Sequence, residues 1–247
     1  MTQLQDLPLP DFFKAYYSKF PQLTPVQEKA LLAGLLDNKS LLVCAPTASG
    51  KTLIATIVIC HKLNGDNTTN NGGNQSGSSS NSSSSNEKHQ NTSGKAIYLV
   101  PLKALANEKF KEYKELFNGT KYKVIISTGE VDSESNYLAN YDLLILTTEK
   151  LDSLLRHRVS WLSEVKTVIV DEIHLLNDPS RGPTLEVILT LLRMLIKPQL
   201  IGLSATIGNP QELATWLEAT LVEDHWRPVE LKKGIHWQGE TEFFPGH

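Results

Sequence analysis

Cysteine is scarce: there are two in 247 residues, Cys44 and Cys60. Both lie in apolar segments without metal-ligand spacing, so a disulfide framework is excluded and both read as reduced core residues. Excess charge is missing as well. The formal net charge is −3 and the pI near 6.2, so no global field gathers nucleic acid and any such binding must use local geometry. No apolar stretch is long enough to cross a bilayer, and Met1 is followed by neither a basic region nor an apolar signal core. No membrane association and a cytoplasmic location are therefore expected. A hydrophobic content of 40% with 21% charged residues leaves an ordinary globular chain, long enough for one large or two small domains.

Aliphatic and aromatic residues also vanish over one internal stretch. Between residues 64 and 94 Asn, Ser, Gly and Thr dominate and neither type occurs. Such a segment cannot bury enough apolar area to offset its ordering, so 64–94 is expected to be a disordered insertion without chemistry. Loop closure entropy grows slowly with length, and the rest of the fold can tolerate it.

The remaining chain is organised around Ser40-Leu-Leu-Val-Cys-Ala-Pro-Thr-Ala-Ser-Gly-Lys-Thr52. An apolar run at 41–44 reads as a buried strand, a turn of small residues follows, and 53–60 is long enough for a helix. In that order Thr47, Ala48, Ser49 and Gly50 would aim backbone N–H groups at an anion, helped by the helix N-terminus. Lys51 would reach the β- and γ-phosphates of a nucleotide, and the Thr52 hydroxyl would hold Mg²⁺. The first glycine of the usual phosphate-loop pattern is replaced by Ala45, and a strand turning into a core helix is the competing reading.

Upstream, Phe12, Phe13, Tyr16, Tyr17 and Phe20 suit one face of a short helix in a lead-in at 1–22. Thr24 and Pro25 form a helix-start signature. Gln27 is either a surface helix residue or, lying just before the phosphate loop, an amide able to read an adenine edge. Downstream, strands are predicted at 96–100, 123–127, 142–146, 167–170 and 200–203, and helices at 102–117, 151–156, 183–195 and 210–220, the last capped by Asn209. Lys109, Lys111 and Lys114 read as a solvated helix face. With the strand at 41–44 this makes six apolar strands alternating with helices: an α/β fold with one doubly wound, mostly parallel sheet flanked by helices on both faces. Polar clusters sit at the carboxyl ends of the strands, where such folds bind ligands. Among them Asp171 would emerge beside the phosphate loop as a Mg²⁺ ligand, leaving Glu172 free to orient and deprotonate an attacking water. A solvated acidic turn is the alternative. An imidazole and two hydroxyls at His174, Ser204 and Thr206 can form a hydrogen-bonded bridge, although Ser204 and Thr206 would also serve as a helix-capping turn.

Asp171-Glu-Ile-His174, Ala45-Pro-Thr-Ala-Ser-Gly-Lys-Thr52 and Ser204-Ala-Thr206 together resemble the DExH-box branch of superfamily 2 helicases. Val100-Pro-Leu-Lys-Ala-Leu-Ala106, Ser127-Thr-Gly-Glu130, Thr147-Thr-Glu-Lys150, Arg181-Gly-Pro-Thr-Leu-Glu186 and Ile207-Gly-Asn-Pro210 narrow the resemblance. They point to the archaeal DNA-repair helicases related to the superkiller RNA helicases. The resemblance covers about 21–231 apart from the insertion, and implies a RecA-like ATP-binding domain at 23–231. It implies ATP and Mg²⁺ as cofactors, Gln27 as the adenine-reading glutamine, and His174, Ser204 and Thr206 as the relay to nucleic acid. Pro101, Lys103, Thr128, Gly129, Thr148 and Glu149 would line the track of a single-stranded or forked DNA, held through its phosphates. The implied activity is ATP hydrolysis coupled to 3′-to-5′ unwinding of DNA. RNA is the alternative substrate, and a non-catalytic ATP-responsive half-domain the alternative role. A motor of this kind needs a second RecA-like domain, whose arginines are absent here. The chain is thus expected to be a fragment or one half of a split enzyme, with 232–247 as a tail or linker whose Trp237, Phe243 and Phe244 would suit docking on that partner.

Overall fold

The computed structural model describes residues 2–65, 94–129, 135–229 and 234–244. Residues 66–93, nearly all of the expected insertion, lie outside the described residues, as do Glu130 and 245–247. Seven strands form one sheet: β1 (Leu41–Cys44), β2 (Lys95–Val100), β3 (Val124–Ser127), β4 (Leu143–Thr147), β5 (Val165–Val170), β6 (Gln199–Ser204) and β7 (Thr220–Glu223). Their order is β3-β4-β2-β5-β6-β1-β7, and every adjacent pair is parallel. The helices are α1 (Asp11–Tyr16), α2 (Pro25–Leu32), α3 (Lys51–Asn64), α4 (Lys103–Leu116), α5 (Thr148–Arg156), α6 (Gly182–Leu191) and α7 (Pro210–Leu217).

Side chains alternate across each strand, so the sheet builds two cores. Leu41 and Val43 join Phe13, Val26, Ile54, Ile57 and Tyr113 on the face covered by α1 to α4. Leu42 and Cys44 join Leu151, Leu154, Leu185, Ile188 and Leu217 on the face covered by α5 to α7. The chain direction explains the division. From β1 the connections step one way to β2 and β3, then reverse through β4, β5 and β6 to β7. Because parallel crossovers are right-handed, reversing the step moves the helices to the other face.

The six predicted strands are all present, and β7 is an addition. The sequence predicts a helix through 220, but α7 stops at Leu217. Glu218 takes a left-handed φ of 53°, and Thr220 N–H donates to Ser40 O at 2.9 Å, starting an edge strand beside β1. Its alternation of exposed and buried residues is short and ends on Glu223, which hid it in the sequence. The aromatic lead-in also departs from a single packed face. Phe13 is fully buried, whereas Phe20 lies past the end of α1 and is 65% exposed. Lys109 is no solvated lysine: it is buried, pairs with Glu112 at 2.9 Å and lies over the Tyr98 ring. A two-stranded antiparallel hairpin, β8 (Gly234–Trp237) and β9 (Glu240–Phe243), gives the tail more structure than a linker, and it exposes Trp237, Phe243 and Phe244.

The sheet edge at β7 is tied to α2 by Lys29, whose ammonium donates to Glu223 O and pairs with Asp224 Oδ2, both at 2.9 Å. Burial pushes the Asp224 carboxyl up, but hydrogen bonds from Lys29 and the Trp226 N–H, with the Lys29 and His225 charges, leave it below its ordinary value. A lowered native value means the stabilisation is present above the unfolded carboxylate value and disappears as pH falls through the native one. Lys29 is half exposed, so the pair contributes on the order of 1 kcal/mol or less. We therefore expect Asp224→Asn to lower urea-unfolding free energy near neutral pH, with the gap between the two proteins closing as pH falls below about 4.

Candidate nucleotide and strand site

Reversal of the crossovers opens two crevices at the carboxyl edge of the sheet. One lies at β1, whose following helix goes to one face while the helices after β5 and β6 go to the other. The other lies at β2, flanked by β4 and β5 for the same reason. Ligands bind where neighbouring strands send their connections apart.

At the first crevice the loop at 45–50 is braced from outside. Thr24 Oγ1 donates to Ser49 O, and Gln27 Nε2 donates to Gly50 O, both at 2.9 Å. Gln27 Oε1 meanwhile accepts the Thr24 N–H at 2.9 Å in the capping box that starts α2. Gln27 is buried, and both ends of its amide hold the loop and the helix start, so reading an adenine would require it to exchange partners. Ala48 and Gly50 both have positive φ, 65° and 95°, a geometry that turns N–H groups toward one concave side. At Gly50 a side chain is excluded twice, by φ and because a Cβ would sit 2.4 Å from Gln27 Nε2. Ala45 is not among the positive-φ residues; it is buried, and its N–H donates to Ser204 O at 3.2 Å, so the missing first glycine is not needed.

Lys51 opens α3 and folds back over the loop, its ammonium donating to Ala45 O at 2.5 Å and Pro46 O at 2.8 Å. Burial pulls its pKa below the ordinary lysine value, and the carboxylates of Glu172 and Asp171 oppose that shift. The same ammonium is thus desolvated by the loop and within the field of the acidic pair. Across the sheet, β1 and β5 are separated by β6 alone, a distance of about 10 Å.

Asp171 leaves β5 with its own N–H donating to Leu99 O at 2.9 Å. Its Oδ1 accepts the Glu172 N–H at 3.0 Å, and its Oδ2 accepts the Tyr98 hydroxyl at 2.9 Å. Tyr98 rises from β2, fully buried, and its pKa is raised first by burial and then by the Asp171 charge, which keeps it a donor. Glu172 is held at φ 53°, a left-handed conformation that costs a non-glycine residue about 1–2 kcal/mol. Such strain persists where the surroundings over-determine it, and it concentrates at functional positions. The Glu172 carboxylate lies 3.2 Å from His174 Nδ1.

The other expected relay residues stand apart from that contact. Ser204, the last residue of β6, is buried against the Cys44 thiol; burial lifts that thiol to about 11. Thr206 lies beyond the strand and is exposed. Among the described residues no hydrogen bond joins His174 to Ser204 or Thr206, and His174 Nδ1, though 3.2 Å from the Glu172 carboxylate, is buried without a hydrogen-bond partner.

These residues fit a magnesium nucleotide. Small residues and Gly50 line a cradle that a side chain would fill, Lys51 brings charge, and Thr52 and Asp171 supply the oxygen donors a hard cation takes. Among the described residues no cluster of three or more His, Cys, Asp or Glu could cage a metal. A cation held here would draw its other ligands from phosphate and water, as Mg²⁺ does in such sites.

The second crevice widens into a cleft of about 580 Å³ lined by Pro101, Leu102, Lys103, Thr128, Thr147, Glu149 and Arg181. Four of the six residues expected along the strand track therefore meet there. Gly129 follows Thr128 and is exposed. Thr148 lines a small adjoining pocket together with Pro101, Asp171, Glu172 and Arg181. Sequence reasoning passed over two residues. Tyr98 was signalled only by a hydroxyl within the aliphatic run Ala96 to Val100, and Arg181 only as the opening of a motif without an assigned role.

The parallel seven-stranded sheet and its braced phosphate loop define a RecA-like P-loop domain. The DEAD/DEAH box helicase family signature matches residues 24–213, and the chain belongs to that family. It is 48% identical over 218 residues to the ATP-dependent DNA helicase Hel308 of Pyrococcus abyssi, covering 88% of this chain and 26% of that protein. It is 47% identical over 227 residues to Hel308 of Methanocaldococcus jannaschii, covering 91% of this chain and 17% of that one. The chain thus spans about a quarter or less of the length of these relatives. Among solved structures, that of the DUF1998 helicase MrfA bound to DNA superposes with a TM-score of 0.67 at 23% identity, over 88% of this chain and 30% of that one, a likeness of fold.

Two outcomes test this geometry. Tyr98→Phe should lower the unfolding free energy by about 1 kcal/mol and shift the Mg²⁺ dependence of nucleotide binding to higher concentration, measured with a fluorescent nucleotide. Glu172→Gly should be more stable than Glu172→Ala by about 1 kcal/mol in urea melts, because only glycine adopts that φ freely.

Proposed function

We propose that this chain is the ATP-binding motor domain of an ATP-dependent DNA helicase, hydrolysing ATP in concert with a second RecA-like domain to drive 3′-to-5′ movement on single-stranded or forked DNA. The observation that carries the reading is that the loop braced around Lys51 follows β1 and the acidic pair Asp171 and Glu172 follows β5, at the same carboxyl edge with β6 alone between them. The name shared by its relatives, ATP-dependent DNA helicase, favours DNA over RNA.

Phosphoryl transfer asks for positioning and charge stabilisation more than for covalent chemistry. Lys51 exchanges the carbonyls of Ala45 and Pro46 for β- and γ-phosphate oxygens. Backbone N–H groups at 47–50, with the N-terminus of α3, hold the phosphate chain. Thr52 and Asp171 would hold Mg²⁺, which would supply positive charge against the phosphates, and Tyr98 fixes the carboxylate of Asp171. Glu172 orients the attacking water and accepts its proton. His174, lying against Glu172, carries the state of that carboxylate toward Ser204 and Thr206. Gln27 reads the adenine after releasing Gly50. In the second crevice Pro101, Lys103, Thr128, Gly129, Thr148 and Glu149 follow the strand through its phosphates. A partner domain would supply arginines, worth about 10³–10⁵ in rate for analogous fingers.

This chain by itself should bind Mg-ATP and turn it over very slowly. Lys51→Ala should raise the nucleotide Kd at least about tenfold in a fluorescence titration, the scale of a lost charge-assisted contact. Glu172→Gln should keep nucleotide binding and lose the residual hydrolysis. Brisk turnover indifferent to Glu172→Gln would remove the assigned base.

A further inference from the structure

Arg181 is a charge on a tightly held turn, without a partner among the described residues. Its backbone N–H and that of Ser180 both donate to Asp178 Oδ1 at 2.9 Å, and Gly182 N–H donates to Asp178 O at 2.8 Å. Gly182 packs so closely that a Cβ there would lie 2.1 Å from Leu176 O, and Pro183 then fixes the start of α6. The turn is therefore rigid, and it presents Arg181 at the boundary between the 580 Å³ cleft and the pocket holding Asp171 and Glu172. Among the described residues the guanidinium forms no hydrogen bond and no ion pair, although Glu149 lines the same cleft. The half-buried guanidinium lines the cleft with its N–H donors uncommitted among the described residues, open to an anion that enters. A planar fork of N–H donors matches two oxygens of one phosphate, and a lysine and hydroxyls on the facing walls add further donors for the same anion.

We propose that Arg181 is a phosphodiester clamp for a single DNA strand lying in this cleft, gripping one phosphate opposite Lys103 and Thr128. The proposal rests on the strand-cleft reading given above. Lys103 supplies charge from the start of α4, and Thr128 and Thr147 supply hydroxyls from the ends of β3 and β4. Arg181 faces them from the turn before α6, so the strand is held from both sides of β2's crevice. Nothing in the contact reads a base, and the grip is indifferent to sequence.

The test is fluorescence-anisotropy titration of this chain with a labelled oligothymidine across a salt series, comparing Arg181→Gln, Arg181→Lys and Lys103→Ala. Arg181→Gln should weaken binding about tenfold and flatten the log–log salt dependence by about 0.7, one phosphate neutralised on a single strand. Arg181→Lys should restore the slope and still bind several-fold more weakly, having lost the fork. If Arg181→Gln is unfolded by circular dichroism, the lysine variant decides: affinity equal to the parent overturns the clamp. A folded Arg181→Gln with parental affinity and slope, beside a weakened Lys103→Ala, overturns the clamp and leaves the strand cleft standing. If neither variant weakens binding, the strand-cleft reading itself fails. A change confined to Mg-nucleotide affinity would assign Arg181 to the acidic pair instead.

Discussion

The right-handed crossover governs this domain. A parallel strand can return to its sheet only with the connecting helix on one side, so the direction of each step decides which face is covered. Here the chain steps outward from β1 and then back past its starting point. That single reversal divides the helices into two layers, gives both faces a core, and leaves two places where neighbouring strands part at their carboxyl ends. The loop at 45–50 occupies one and the cleft of about 580 Å³ the other. β5 and β6 lie between the two crevices, so Asp171 and Glu172 at the end of β5 stand at their border.

That border is where the chain accepts local disadvantages. Glu172 adopts a left-handed backbone that a glycine would take without strain, Asp171 is half buried with a tyrosine hydroxyl fixed upon it, and Lys51 is desolvated. Each is unfavourable alone. Together they put two carboxylates and one ammonium around a space that a polyanion and a cation would complete. A site arranged for stability would have paired Lys51 with a carboxylate directly; here it rests on two neutral carbonyls that a phosphate can replace.

Much of this was legible in the sequence, and for identifiable reasons. Strands buried on both faces read as unbroken apolar runs, so Leu41 to Cys44 and Val168 to Val170 stood out, and the polar residues ending them marked the carboxyl edge. The edge strand β7 was not legible, because a strand buried on one side beside β1 carries too short an alternation to separate from the end of α7. Lys109 misled because its ammonium pairs within its own helix and lies over a tyrosine ring from β2. Gln27 was found, yet its bracing of Gly50 depends on a contact 23 residues away that no local pattern encodes. Tyr98 shares that difficulty, since the carboxylate it holds lies 73 residues away, and the other walls of the cleft that Arg181 lines come from elements distant in sequence.

Gly65 and Gly94, where the polar segment departs and rejoins, both border a cavity with Ser40, Lys166 and Gln199 at the amino-terminal rim of the sheet. The exit and re-entry points thus sit at the pole opposite the chemistry. A reporter attached at that junction would depart from the edge remote from both crevices.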